Sequence, residues 1–580
     1  MIMKRLLFST IWICLTSVMR ADEVLIDGIY YFIKGDVVGV IAGENKYKGD
    51  IKIPETIVYN GVEYQVTRIE SGAFVGCTEL TSVELPECIN YVSGFPGCTQ
   101  LASINIPKGL TKIGDGMFRD CVSLSSCELP DNIKSIGQGA FEGCTKLKEL
   151  KIPSGVETIR MRAFSKCTSL QSIEIPDGVQ SINTYLFEGC TNLRSVVLPD
   201  SLKSIPIACF MGCASLSSIT LPKKLEIIDE MAFKNCTSLT SIEIPRSVTQ
   251  IQGEAFCGCG IREITIPEKI QNWSLSYDNS YIFSDCKNLE SVTIEKTAVI
   301  PSGMFSGCVN LSSVTILGMD IKIESRAFSN CKSLKSISLS NVRSISSSAF
   351  SGSGLTSVVF PDRKISTENK SFAGCEDLVS VVSDGYITID QGCFYECPNL
   401  ESVVFRKGAS LVHRAFGGCT GLKSVIFGGI SNIGDYVFDN CKNIEDIYCF
   451  YGNMAPVSGI AFTDAYIEYA TLHVPKSLVE QYSNDATWGM FGKIVPLTDE
   501  DIASHVPSMG NTALSIHSHN GTFVIDGASA GTPIIVYTST GVLAGFATAM
   551  EGSTTLYTHI QKGDVAIVKV GQQTKRVIMK

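Results

Sequence analysis

The stretch Leu170–Cys190 reads LQSIEIPDGVQSINTYLFEGC, and its pattern recurs along most of the chain. Leu170, Ile173 and Ile175 are spaced as a short β-strand with one buried face requires. Pro176 ends that strand, because it has no N–H to give to a ladder. Asp177-Gly178 supplies a turn, and Val179 and Ile182 return to the core. Tyr185-Leu186-Phe187 then fits a single helical turn, closed by Gly189 at a position that tolerates positive φ.

Eighteen phenylalanines mark the repeat from Phe74 to Phe462, at intervals of 22 or 23 residues apart from single steps of 21, 27 and 24. Sixteen of them have a cysteine three residues later, as in Phe141/Cys144 and Phe233/Cys236; the exceptions are Phe350, with Ser353 in that place, and Phe462. A unit of this size has one buried face and cannot fold alone, so the units must stack. The consensus LxSIxIPxxVxxIxxxxFxGC resembles the BspA-like leucine-rich repeats of bacterial surface proteins, over roughly residues 51 to 464. It departs from the common leucine-rich pattern in carrying Pro after the strand instead of Asn or Cys, so a long Asn ladder is not expected. The expected fold is an α/β, β-dominated leucine-rich repeat solenoid with a parallel sheet, capped at both ends, plus a small C-terminal β-sandwich.

The cysteine column allows two readings. In an exported protein it invites disulfides. Equivalent side chains of stacked coils run parallel, however, and pairing them would make adjacent coils inequivalent, whereas nothing in the sequence alternates every second repeat. The expectation is a spine of buried thiols acting as small hydrophobes. No CxxC pair exists, so a zinc site is not expected.

The ends break the period. Lys4 and Arg5 precede an apolar run from Leu6 to Val18, too short for a bilayer span of about 18 residues but fitting for a secretory leader. Residues 1–21 are therefore read as a signal peptide, with cleavage near Ala21, and no later run is apolar enough to cross a membrane. Residues 22–70 are expected to form a β-rich N-terminal cap containing an Asn60-Gly61 hairpin. The solenoid takes residues 71–464 and a C-terminal cap residues 465–497, with a helix from Ser477 to about Asn484 and with Trp488 and Phe491 over the last coil. A polar linker, residues 498–510, leads to a β-sandwich module at 511–580. That module resembles the C-terminal sorting domains of type IX secretion cargo through Val536-Tyr537, Gly541 and the tail from Lys575 to Lys580. Similar tails also occur on proteins exported by other routes, so both readings stay open.

Composition narrows the function. Of 580 residues, 44% are hydrophobic and 18% charged, which excludes a largely disordered chain. With 48 Lys and Arg against 58 Asp and Glu, the net charge of −10 argues against nucleic acid as the main partner. Gly527-Ala528-Ser529-Ala530-Gly531 matches a nucleophile elbow in letters only, because Thr532-Pro533-Ile534 begins a strand where the elbow needs a helix. His517 and His519 share a strand face but have no third ligand at a sensible spacing. No cofactor, metal or catalytic site is expected.

What remains is binding, at the cell surface or in the secreted fraction. The resemblance implies adhesion to host or microbial proteins through the curved sheet; a structural envelope scaffold or spacer is the rival. The strand positions that face away from the core locate a candidate contact. One column is mostly serine, from Ser82 to Ser424. Its neighbour is mostly polar early, as at Glu128, Lys151, Glu174 and Glu243, and becomes apolar in five consecutive coils: Val359, Val382, Val404, Ile426 and Tyr448. Stacked about 4.8 Å apart, these five would form a continuous exposed stripe. Ligand contact, docking of the C-terminal module and plain strand preference are its three explanations.

Overall fold

The computed structural model describes residues 22–270, 280–498 and 501, and residues 515–579 except 520, 521, 527, 529, 530, 539–542, 551, 552, 559, 571 and 572. The expected signal peptide and most of the expected linker lie outside the described residues. The chain divides into two compact units, Met1–Thr191 and Asn192–Lys580. Each is built mainly of parallel-stranded coils, a β-dominated solenoid architecture with very little helix.

In the first unit a six-stranded sheet forms the start. Its main path runs Asp22–Ile26, Ile29–Lys34, Val37–Val40, Val62–Ile69 and Thr56–Tyr59. Asn60 and Gly61 turn the hairpin with φ of 52° and 81°, the left-handed pair that a tight two-residue loop demands. The boundary expected at residue 70 falls inside a coil. Gly49–Lys52 already pairs in parallel with Leu80–Glu84, and Val62–Ile69 pairs in parallel with Tyr91–Val92. The hairpin is an insertion into that first coil, which hides its period in the sequence. Tyr47 packs on Phe74 at 5.0 Å and begins the aromatic spine.

The Phe segment of each coil is not a helical turn, contrary to the expectation for Tyr185–Phe187. Tyr185 has φ of 60° and Gly189 of 69°, so the segment alternates between right- and left-handed backbone. Its N–H groups then point out of the coil instead of back along it. Gly116, Phe118 and Asp120 donate to the carbonyls of Gln138, Ala140 and Glu142 in the following coil, at 2.8, 2.7 and 2.7 Å. A helical turn would leave those donors without partners in a dry stack. The Phe-x-x-Cys spacing follows from the same geometry. Each Phe carbonyl has two lone pairs; that of Phe141 accepts the Cys144 N–H at 3.1 Å and the Cys167 thiol of the following coil, also at 3.1 Å.

The second unit repeats this arrangement. Phe233 stacks between Phe210 and Phe256, with centroids 5.2 and 5.3 Å away, and is fully buried. The 22 cysteines among the described residues are free thiols, all but Cys88 and Cys257 buried. At the end of the stack, Phe462 meets Trp488 at 5.6 Å and Phe491 at 5.5 Å. Trp488 Nε1 donates to Ala455 O at 2.9 Å, and the short helix Val479–Ser483 carries the buried Tyr482 beside it. Strands Thr471–Val474 and Lys493–Pro496 continue the parallel sheet through this cap. Residues 515–578 form two antiparallel sheets over one core that includes Phe523, Ile525, Val536, Leu556 and Val568. Strand Thr522–Asp526 is followed by strand Pro533–Thr538, so no helix follows the Gly527–Gly531 stretch; Ser529 itself lies outside the described residues.

Candidate functional site

The candidate contact row lies on a seven-stranded parallel sheet in the second unit. Its strands are Ser357–Phe360, Ser380–Ser383, Ser402–Phe405, Ser424–Phe427, Asp446–Cys449, Thr471–Val474 and Lys493–Pro496. These strands are four residues long, where most of the early proline coils hold two or three residues of strand or none, Leu80–Glu84 and Glu263–Ile266 excepted. In four of the sheet's coils the residue that follows adds a rung. Asp384, Arg406, Gly428 and Phe450 stand where the early coils have proline, and their N–H groups donate to Phe360, Ser383, Phe405 and Phe427 carbonyls at 2.7–3.0 Å. Proline has no such donor, so a coil with proline there lacks that rung.

Period-two alternation fixes the faces. Val358, Val381, Val403, Val425, Ile447 and Leu472 point into the core and are at most 3% exposed. Register places Val359, Val382, Val404, Ile426 and Tyr448 in one row on the opposite face, as expected. Two further residues join it: His473 beside Tyr448, and Val495 beside His473. Sequence reasoning missed them, although His473 holds the same place in TLHV as Val404 does in SVVF.

The row is not uniformly exposed. Val359 is 37% exposed, Val382, Val404 and Tyr448 are half-buried, and Ile426 is buried at 8%. The expectation of a continuous exposed stripe therefore fails at Ile426. It sits between Val404 and the Tyr448 ring, each one strand away, and bulky neighbours at that spacing leave little room for water. Serines flank the row from Ser357 to Ser424, then Asp446, Thr471 and Lys493. Beyond its other side Arg406 pairs with Asp384 at 3.2 Å.

The Tyr448 end is chemically distinct. Its ring lies on that of His473, centroids 4.3 Å apart and planes 16° apart, and His473 Nε2 is 2.8 Å from Asp446 Oδ1. Burial, reinforced by the charges of Asp446 and Asp501, pushes the Tyr448 hydroxyl above its ordinary pKa. Such a surface offers shape, apolar contact and hydroxyl groups. Among the described residues, no group of three or more His, Cys, Asp or Glu side chains is placed to hold a metal ion, and no helix is long and apolar enough to cross a membrane. His517 is exposed on its strand, and the side chain of His519 lies outside the described residues.

Comparison with known proteins places this architecture. A leucine-rich repeat protein from Bacteroides ovatus is 23% identical, the match covering 78% of this chain and 100% of the other, with a TM-score of 0.45. A leucine-rich repeat protein from T. pallidum is 28% identical over 38% of this chain and 91% of its own, with a TM-score of 0.27. A leucine-rich cell surface protein from Faecalibacterium prausnitzii is 19% identical over 84% of this chain and 98% of its own, with a TM-score of 0.24. No curated protein matches significantly. The family model described as BspA type leucine rich repeat region matches residues 67–175, 157–278, 274–379 and 366–487. With well over half of its length matched, the chain belongs to the BspA-type leucine-rich repeat family.

Proposed function

We propose that this protein is exported and displayed at the cell surface, or released, and that it binds another macromolecule, a protein foremost, without catalysing a reaction. The contact is the row Val359, Val382, Val404, Ile426 and Tyr448, with His473 at its end. One observation carries this reading. In register on successive strands, the outward positions from Val359 to Tyr448 form a line of apolar residues flanked by the serine column. Surfaces that stay in water seldom keep such a line without use, and aromatic residues such as Tyr448 are enriched among binding hot spots. Export is supported by the charged and apolar pattern of residues 4–18. The two-sheet module at 515–578 supports the further reading that it directs sorting after export.

The double variant Val382→Asp, Val404→Asp tests the contact. It should keep the fold, because both positions face solvent, and should lose capture of whichever partner the wild type retains from host matrix or from the producing cell's own envelope. Undiminished capture would remove the row from consideration. The low exposure of Ile426 favours a second reading, a scaffold or spacer with no dedicated ligand, in which neither protein captures a partner. Deleting residues 511–580 should leave the protein trapped inside the cell envelope if the module directs sorting.

A further inference from the structure

A second parallel sheet of the second unit, separate from the one that bears the contact row, includes the strands Ile321–Ile323, Val342–Ile345, Ser366–Thr367, Tyr386–Ile389, Gly408–Leu411 and Ile430–Ile433. Its register sets Lys322, Ser344, Ser366, Thr388, Ser410 and Asn432 in one row. The residue after each of them is buried, so by alternation the row faces solvent. From Ser344 to Asn432 it carries no charge and no aliphatic side chain. Among the described residues, the hydroxyls of Ser344, Ser366, Thr388 and Ser410 have no hydrogen-bond partner.

Tyr386 stands on the same face as Thr388 and is 51% exposed, yet its ring is fixed. It pairs in register with Gly408, where a Cβ would lie 3.2 Å from the ring, so one face rests on the backbone of the next coil. Its hydroxyl is 2.7 Å from Ser431 Oγ, two coils on. Ser431 Oγ itself donates to Ala409 O at 3.2 Å, which makes the phenol the donor of that bond. A bulge puts Ser431 in place: Ala409 pairs with Ile430 and Ser410 with Asn432, leaving Ser431 as the extra residue. A glycine, a bulge and a hydroxyl thus hold one tyrosine flat beside a row of free hydroxyls, with the other face of the ring open.

We infer that Tyr386 and the row Ser344, Ser366, Thr388, Ser410 and Asn432 form a binding strip for an extended neutral glycan. Sugars present C–H faces, which pack on an aromatic ring, and a rim of hydroxyls, which exchange hydrogen bonds with hydroxyl and amide groups. Successive strands set the groups of the row about 4.8 Å apart, close to the spacing of pyranose units along an extended chain. Charge points the same way. Glu324 pairs with Lys322 at 3.4 Å and Lys407 with Asp362 at 2.5 Å, while Glu368 accepts from Ser346 Oγ and the Ser347 N–H at 3.2 and 3.1 Å. Only the exposed Lys364, two residues before Ser366, leaves an open cation at the margin among the described residues. A protein partner would ask for an apolar centre, which the strip lacks. The strip shares no residue with the Val359–Tyr448 row, and neither site requires the other.

Affinity electrophoresis of the full-length protein, through gels holding hydroxyethylcellulose, laminarin, galactomannan or heparin, tests this. At least one of the neutral polysaccharides should retard the protein, and the anionic heparin should not. Tyr386→Ala should weaken that binding about tenfold, the scale of losing an aromatic anchor. Tyr386→Phe keeps the stacking face and should stay within about threefold, since one hydrogen bond is lost. Thr388→Val with Ser410→Ala should also weaken binding, by removing two hydroxyls of the row. These positions face solvent, and unchanged thermal unfolding would confirm intact folding. Val382→Asp with Val404→Asp lies on the other sheet and should leave the retardation as it is, whatever it does to capture of a protein. No retardation by any neutral polysaccharide, retardation by heparin as strong as by any of them, or undiminished binding by Tyr386→Ala would overturn the strip. Undiminished binding by Thr388→Val with Ser410→Ala would remove the row from it, and loss of retardation in Val382→Asp with Val404→Asp would place the glycan on the other sheet; either result overturns the strip as well.

Discussion

The proline-ended coils and the coils of the seven-stranded sheet share one side and differ on the other. Both carry the fully buried Phe, the thiol that serves its carbonyl, and the two left-handed backbone positions that send N–H groups to the next coil. In the proline coils, Glu128, Lys151, Glu174 and Glu243 stand in full solvent beside fragmentary strands. In the sheet coils the same column is apolar and half sheltered, and the ladder runs four residues. The Phe side therefore sets the period and holds the stack together, which frees the strand side to change its chemistry.

The sharpest test of that division removes the shared element from each region. Phe233→Ala in a proline coil and Phe416→Ala in the sheet region should each cost about 3–5 kcal/mol through the cavity left in the stack. Both rings are fully buried, and Phe416 stacks on Phe394 at 5.3 Å as Phe233 does on Phe256. Chemical denaturation measures the cost; a value twice as large in one region would mean that the spine is not the common element.

A smaller effect probes how one coil dictates the residue in the next. Gly258 has φ of +70°, and a Cβ there would lie 2.5 Å from Asn235 Oδ1 in the preceding coil. The pairs Asp285/Gly307 and Asn330/Gly352 repeat this relation. Gly258→Ala should cost about 1–2 kcal/mol or more, from the left-handed backbone together with the clash. Adding Asn235→Gly should recover only the clash, which a double-mutant cycle would expose.

Smaller again is the difference that defines the two strand sides. Arg406→Pro should lose the 2.9 Å bond to Ser383 O, about 1 kcal/mol net, along with the Asp384 ion pair. Arg406→Ala keeps the N–H and loses only the half-exposed ion pair, worth about 0–1 kcal/mol. Equal melting temperatures for the two variants would disprove the claim that the N–H after the strand strengthens its ladder.

Last comes a reactivity contrast that leaves stability alone. Burial pushes the Cys236 thiol above its ordinary pKa, so its thiolate is scarce at pH 8 as well as inaccessible. Iodoacetamide on the native protein should reach the half-buried Cys88 and Cys257 before Cys236. Rapid labelling of Cys236 in the folded state would refute the buried spine.

Local rules put much of this molecule within reach of the sequence. The Phe-x-x-Cys period required stacking because a unit of that size cannot bury its own apolar face. Pro176 ended a strand, Asn60-Gly61 made a hairpin, and alternation from Val359 to Tyr448 placed one row on one face, since each depends on a residue's own backbone chemistry or on the two-residue pleat. What needed the fold was everything set by the next coil. Tyr185–Phe187 looks helical in isolation and is a turn with left-handed residues instead; in the equivalent segment Gly116–Asp120 the donors find carbonyls in a neighbour 22 residues away. Ile426 looks exposed by alternation and is buried by residues from other strands. The hairpin at residues 56–69 hid the first coil, and Asp501 stands 4.0 Å from His473, a neighbour 28 positions away that no local pattern encodes. Periodicity determines which face a side chain takes; only packing in three dimensions determines what covers it.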